Sequence, residues 1–146
     1  MKLRLHISPD EKEKLVAIHA PSLDKDVQQI ISCIEDLDRA TQIYGKYEDA
    51  IYVLDIKSII SFRTYHNQVV AIKGKKQFKI KERLYELEAK LPTSFIRISK
   101  SEIVNSDKIE KLHMEPNGLI RMYLKDADFT YSSRRYLKSI KERLSL

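Results

Sequence analysis

The chain is patterned in short alternating runs, broken twice by stretches of helical spacing. Residues 2–8, KLRLHIS, alternate polar and apolar and predict a strand. Residues 15–19 could pair with it across a turn at 9–13. Pro21 and Ser22 introduce a helix, with Ser22 or Asp24 as N-cap. Val27, Ile30, Ile31, Ile34 and Leu37 recur at intervals of three and four and form its apolar face. Cys33 beside that face reads as a small core residue. Gly45 ends this region, and residues 47–49 read as a connection.

Beyond it the period shortens to two. Runs rich in Ile, Val, Tyr and Phe at 51–54, 59–65, 68–73 and 77–80 predict strands. The turns between them fall at His66-Asn67 and Gly74-Lys75-Lys76. A helix is expected over 81–91, with Leu84, Leu87 and Leu91 on one face and Pro92 as its stop. Residues 95–98 read as the end of a strand, and the serines and lysine that follow predict a short helical turn or tight surface loop. Strands at 108–114 and 119–124 flank the turn Glu115-Pro116-Asn117-Gly118. After a turn at 125–128 and a strand at 129–132, a last helix over 133–144 buries Leu137, Ile140 and Leu144. The expected class is α+β, mostly β with short helices, preceded by a small strand-and-helix extension. The division falls between 1–48 and 49–146. The extension is too short for an independent core and is expected to pack on the rest or on another copy.

Composition changes this picture little, but charge does. The 42% apolar fraction allows a buried core, and no run of apolar residues has the length of a membrane span. The start has no stretch of signal-peptide kind, so a cytoplasmic protein is expected. One cysteine permits no internal disulfide. Residues 1–48 carry a net charge of −2 and residues 49–146 a net of +8. The basic character therefore belongs to the second region, and basic domains attract polyanions, nucleic acid first among them. The plain alternative is a solvated basic surface.

Catalysis has little support. His6, His19, His66 and His113 lack metal-ligand spacing. Gly45, Gly74 and Gly118 are too scattered for a phosphate loop, and Ser99 and Ser101 lack a nucleophile elbow. No cofactor is implied. Arg134 and Arg135, expected in the first turn of the last helix, meet the positive end of its dipole at a cost of roughly 0.3–1 kcal/mol each. A phosphate would reverse that penalty, and an arginine can also read guanine through two hydrogen bonds. The competing expectation is that one arginine pairs with Asp126 or Asp128.

Two stretches carry a family resemblance: FIRISKSEIVN at 95–105 and SSRRY at 132–136. In this order and spacing they resemble the LytTR family of bacterial DNA-binding domains, over residues 50–146. The resemblance implies a compact, mostly β domain that binds duplex DNA through loops entering the major groove. It places base contacts at His66-Asn67-Gln68, at Lys100 and at Arg135. Which of 66, 67 and 68 points at DNA stays open, because the first loop is short. Arg97, Ser101 and Arg134 would contact phosphate or brace those loops, and Ser99 joins the DNA-binding set. Lys100 stands where some members carry Asn, which bears on the bases read there. Forty-eight residues are too few for the receiver domain of many members, so the chain resembles the compact subclass. For that subclass the resemblance implies a transcriptional regulator, a homodimer on paired DNA repeats, and a small membrane protein that restrains it. Without the resemblance, the alternatives are a non-catalytic interaction module binding an acidic partner, or RNA binding. The aromatics form no stacking strip that would favour RNA.

Overall fold

The structure, a computed structural model, describes residues 1–146 as two compact units, Met1–Ile34 and Glu35–Leu146. In the first, the expected strands at 2–8 and 15–19 do not form. Leu3, Leu5 and Ile7 are 83%, 75% and 89% exposed. Alternation specifies a strand only where a ladder and a covering layer exist, and an isolated strand pair is marginal in water. Helix α1 spans Lys25–Glu35, capped by Asp24, whose Oδ1 accepts from the Val27 N–H at 3.0 Å. Val27 is buried and Ile30, Ile31 and Ile34 half-buried, but Cys33 is exposed, which corrects its reading as a core residue. At 3.6 residues per turn Cys33 lies about 110° from the centre of the apolar face. Leu37 is exposed as well, because α1 has ended and given way to a 3-10 turn, Asp36–Asp38.

The second unit is built on a seven-stranded antiparallel sheet. Its strands are β1 (Gln42–Tyr47), β2 (Ala50–Asp55), β3 (Ser61–Tyr65), β4 (Gln68–Lys73), β5 (Lys76–Ile80), β6 (Phe95–Ser99) and β7 (Glu102–Asn105). Their spatial order is β2-β1-β5-β4-β3-β7-β6. Helix α2 (Leu84–Lys90) lies between β5 and β6 in sequence. A smaller sheet of β8 (Ile109–Met114), β9 (Ile120–Leu124) and β10 (Phe129–Tyr131) follows, then helix α3 (Leu137–Leu144).

Strand β1 lies where an ending and a connection were expected. Gly45, read as a stop, is a buried mid-strand residue, because a Cβ there would stand 2.7 Å from the Phe78 Cβ and 2.8 Å from the Leu54 Cδ1. The polar stretch after residue 98 takes the second of its two expected forms, a tight surface loop: it is the two-residue turn of a hairpin whose second strand is β7. All four residues of β7 are buried, so it shows no alternation by which to be recognised.

The two faces of the large sheet bury separate cores. On one face Phe62, Ala71, Phe78 and Ile103 pack under Leu84, Leu87 and Leu91 of the α2 segment. On the other, Ile72, Ile98 and Val104 pack against Ile120, Met122 and Leu124 of β9 and Ile140 of α3. Leu137 and Leu144, expected to be buried, are half-buried flanks of that second core. No helix is long and apolar enough to cross a membrane.

Candidate nucleic-acid interface

The β3–β4 hairpin closes through His66 and Asn67, at φ 49° and 61°. Two consecutive positive φ angles match the twist of the flanking strands, and asparagine tolerates them better than most residues. Both side chains and that of Gln68 are exposed, and the Tyr65 ring meets the His66 imidazole edge-on at 4.3 Å. A recess of about 290 Å³ opens beside this turn between His66, Gln68, Lys81, Glu82 and Arg83. Burial alone would raise the Glu82 carboxyl. The Lys90 ammonium at 2.7 Å, a backbone hydrogen bond and the nearby Lys81 charge together outweigh that and hold it below the ordinary carboxylate range.

The second loop is the turn between β6 and β7, with Lys100 and Ser101 exposed. Arg97 holds it from beneath. Its Nε donates to the Ser99 carbonyl at 2.6 Å and its Nη2 to the Lys100 carbonyl at 2.6 Å. Its Nη1 donates to Glu88 of α2 at 2.7 Å. The same guanidinium lies 5.9 Å from the ring centroid of Tyr136. With 15% of its side chain exposed, Arg97 is a brace for the loop by its contacts. The Ser101 N–H donates to Ser99 Oγ at 3.2 Å, tightening the turn further.

The third element follows β10. Arg134–Tyr136 form a 3-10 turn and α3 begins at Leu137, so both arginines precede the α-helix instead of occupying its first turn. Both are exposed and neither makes an ion pair, with Asp126, Asp128 or any other carboxylate. Their charge is therefore uncompensated by direct contact.

Backbone hydrogen bonds join these three elements. The Thr64 N–H donates to the Ser101 carbonyl at 2.9 Å, linking the first hairpin to the second turn. The Ser133 N–H donates to the Ile98 carbonyl at 2.9 Å, linking the 3-10 turn to β6. The sequence-predicted residues His66, Asn67, Gln68, Ser99, Lys100, Ser101, Arg134 and Arg135 thus lie on three connected surface segments of one unit.

Several residues that hold this arrangement escaped the sequence reading. Glu88 and Tyr136 position Arg97; Tyr136 closes the SSRRY stretch, but nothing local marks it as a partner of Arg97, and nothing marks Glu88. Buried Glu102 ties β7 to β3 through Arg63 and to β10 through Thr130, with donor–acceptor distances of 2.5 Å in both. Asn105, the last residue of the first motif, is 1% exposed and donates to the Ile59 carbonyl at 2.9 Å. Its side-chain oxygen accepts from the Asp107 N–H at 3.1 Å, so it closes the strand and starts the next turn.

On the smaller sheet, Arg121 stands over the rings of Phe129 and Tyr131, at 5.2 and 5.4 Å. Its hydrogen bond with the Tyr123 hydroxyl raises its pKa further above an already high value. No group of three or more His, Cys, Asp or Glu side chains is placed to hold a metal ion.

A family model described as the LytTr DNA-binding domain matches residues 49–145. Proteins described as HTH-type transcriptional regulators from Staphylococcus aureus strains NCTC 8325 and COL are each 55% identical to the chain, covering 100% of it and 99% of their own length. The solved LytTr DNA-binding domain of a Bacillus cereus protein superposes with a TM-score of 0.70 at 18% identity, covering 73% of this chain and 99% of that one. The descriptions of the relatives name a helix-turn-helix. Here strands separate every pair of α-helices, so no two are arranged in that way.

Proposed function

The chain belongs to the LytTr DNA-binding domain family, and from that membership we propose that it is a sequence-specific transcriptional regulator that reads the major groove of duplex DNA through loops. In this reading His66-Asn67-Gln68, Lys100 and Arg135 reach base edges. Arg134 and the serines at 99 and 101 meet phosphate, and Arg97 keeps the Lys100 turn in shape. The observation that carries it is the set of three exposed loop segments, the first and third each tied by a backbone hydrogen bond to the β6–β7 hairpin, with unpaired cations at Lys100, Arg134 and Arg135. Phosphate contacts would set orientation and affinity, and bidentate contacts from arginine or an amide would set sequence preference. Binding of two copies to paired repeats would place two such loop sets on one face of the duplex. The protein acts by binding alone, without catalysis or cofactor.

Selection of binding sites from random duplexes tests this directly. The expected outcome is an enriched motif whose complex resists competition by unrelated duplex. Salt sensitivity would not separate DNA from other polyanions. Enrichment of no motif, with equal displacement by any polyanion, would replace the regulator with a module for acidic partners.

A further inference from the structure

The large sheet has two edges, and only one is occupied. At the β6 edge the Ile98 carbonyl accepts from the Ser133 N–H, and α3 packs alongside. At the other edge β2 pairs with β1 on one side and with nothing on the other. Edge strands are ordinarily protected by proline, lysine, a bulge or a cover. The six residues of β2, AIYVLD, carry neither proline nor lysine, and the register with β1 is unbroken. The outward face of the β1–β2 hairpin is bare, with an apolar centre between polar ends: Tyr44 is 67%, Ile51 73% and Val53 58% exposed, and Gln42, Lys46 and Asp55 share the face.

We propose that this edge is where two copies of the chain join, β2 pairing antiparallel with β2 of the partner subunit and Val53 on the two-fold axis. The proposal deepens the two-copy reading given above by naming its surface. Face and charge choose the register. Odd-numbered residues of β2 point outward, so an antiparallel pairing that keeps like faces together must centre on a residue and not between two. Centring on Ile51 or Leu54 pairs only three residues of β2. Centring on Tyr52 sets Asp49 opposite Asp55 of the partner subunit, two like charges face to face. Centring on Val53 pairs residues 51–55 and sets no acid against an acid. The outward-facing partners in the β1–β2 hairpin are Tyr44↔Val53, Lys46↔Ile51 and Gln42↔Asp55. The outward face then carries a central apolar row, Tyr44 and Val53 meeting the partner's Val53 and the partner's Tyr44. On either side, Lys46 and Asp55 of the partner subunit flank Ile51 in one row, so the charges complement. On the inward face Tyr52 meets the partner's Leu54. The two large sheets become one continuous sheet, and both bare edges disappear.

Cross-linking in the full-length protein without DNA tests the pairing. In a Cys33→Ser background, Val53→Cys places two thiols across the axis, whereas Tyr44→Cys, on the same face and similarly exposed, lies one strand further in. Mild oxidation is expected to convert most Val53→Cys into covalent dimer and to leave Tyr44→Cys monomeric on non-reducing gels. Val53→Lys is expected to shift the otherwise unsubstituted protein to monomer in sedimentation equilibrium. Equal cross-linking of the two cysteine variants, or a monomeric parent at tens of micromolar, would overturn the interface. Because no DNA is present, this outcome stands apart from the DNA reading. A monomer that still selects a sequence sinks only the interface, and a Val53-linked dimer that selects none sinks only the DNA reading.

Discussion

Arg63 and Glu102 face each other across β3 and β7, Nε to Oε2 at 2.5 Å, in a pair whose carboxylate is 6% exposed. The other carboxylate oxygen accepts from the Thr130 hydroxyl at 2.5 Å, so one side chain ties the large sheet to the small one. Glu102 also follows the Lys100-Ser101 turn directly, and its position fixes where that turn ends. Glu102→Ala would leave the Arg63 guanidinium without its carboxylate and the Thr130 hydroxyl without its acceptor. Removing one partner of a deeply buried pair costs several kcal/mol, but the Arg63 side chain is 32% exposed and water takes back part of that. The expected loss is about 1–3 kcal/mol. Glu102→Gln, which keeps one acceptor oxygen for Arg63 and can turn its amide N–H to donate to the Thr130 hydroxyl, should lose less. Urea midpoints at unchanged slope measure both, and equal losses in the two variants would show that the charge alone matters.

Gly45 is demanded by a neighbour. The atom nearest a Cβ there is the Phe78 Cβ at 2.7 Å, which is fixed to backbone and cannot swing aside. Gly45→Ala should therefore destabilise by about 1–3 kcal/mol, despite the better strand propensity of alanine, since overpacking outweighs it. Thermal melting decides this, and a rise in melting temperature would show that β1 and β5 can part at no cost.

Stability should carry a small acid dependence from Glu82. Burial pushes its carboxyl up, but the Lys90 hydrogen bond, a backbone hydrogen bond and the Lys90 and Lys81 charges together hold it below the ordinary glutamate range in the folded protein. A carboxyl depressed on folding contributes stability above its unfolded pKa and loses it as pH falls through the folded value. Wild type and Glu82→Gln should therefore differ most in melting temperature near neutrality and converge below the ordinary carboxylate range. A gap that persists unchanged in strong acid would mean the amide substitution acts through shape.

Legibility followed burial. Residues 68–73, bounded by a clear turn on each side, are β4 to the residue. The three-and-four spacing of Leu84, Leu87 and Leu91 found α2 because one face is buried and the other wet. Strand β7 was missed because it is buried throughout, and β1 because its central glycine is set by Phe78, a contact no local pattern contains. The alternation at 2–8 failed in the opposite sense, since the pattern is present and the covering layer is not. At the candidate interface the exposed loop residues were readable through the two motifs. Bracing by Arg97 was one of the two roles read for it, but its partners Glu88 and Tyr136 were not read, because they lie on other elements, α2 and the turn after β10.

The sharpest prediction contrasts Arg135 with Lys138. Both are exposed cations near the start of the last helical segment, Arg135 in the 3-10 turn and Lys138 in α3. The Arg135 turn is bonded to β6 through Ser133 and Ile98, beside the Lys100 loop, where a base contact is proposed. Lys138 lies further along the helix and would meet phosphate at most. Arg135→Ala is expected to weaken operator binding by about 1–3 kcal/mol and to relax preference at one base pair. Lys138→Ala is expected to weaken operator and unrelated duplex equally, or neither, with a salt slope lower by at most about one. Neither change should lower the melting temperature, because neither side chain makes an ion pair in the folded protein. An Arg135→Ala protein that loses operator and unrelated duplex alike would make Arg135 a phosphate contact. One that melts normally and binds its operator undiminished would show that the DNA-binding face lies elsewhere.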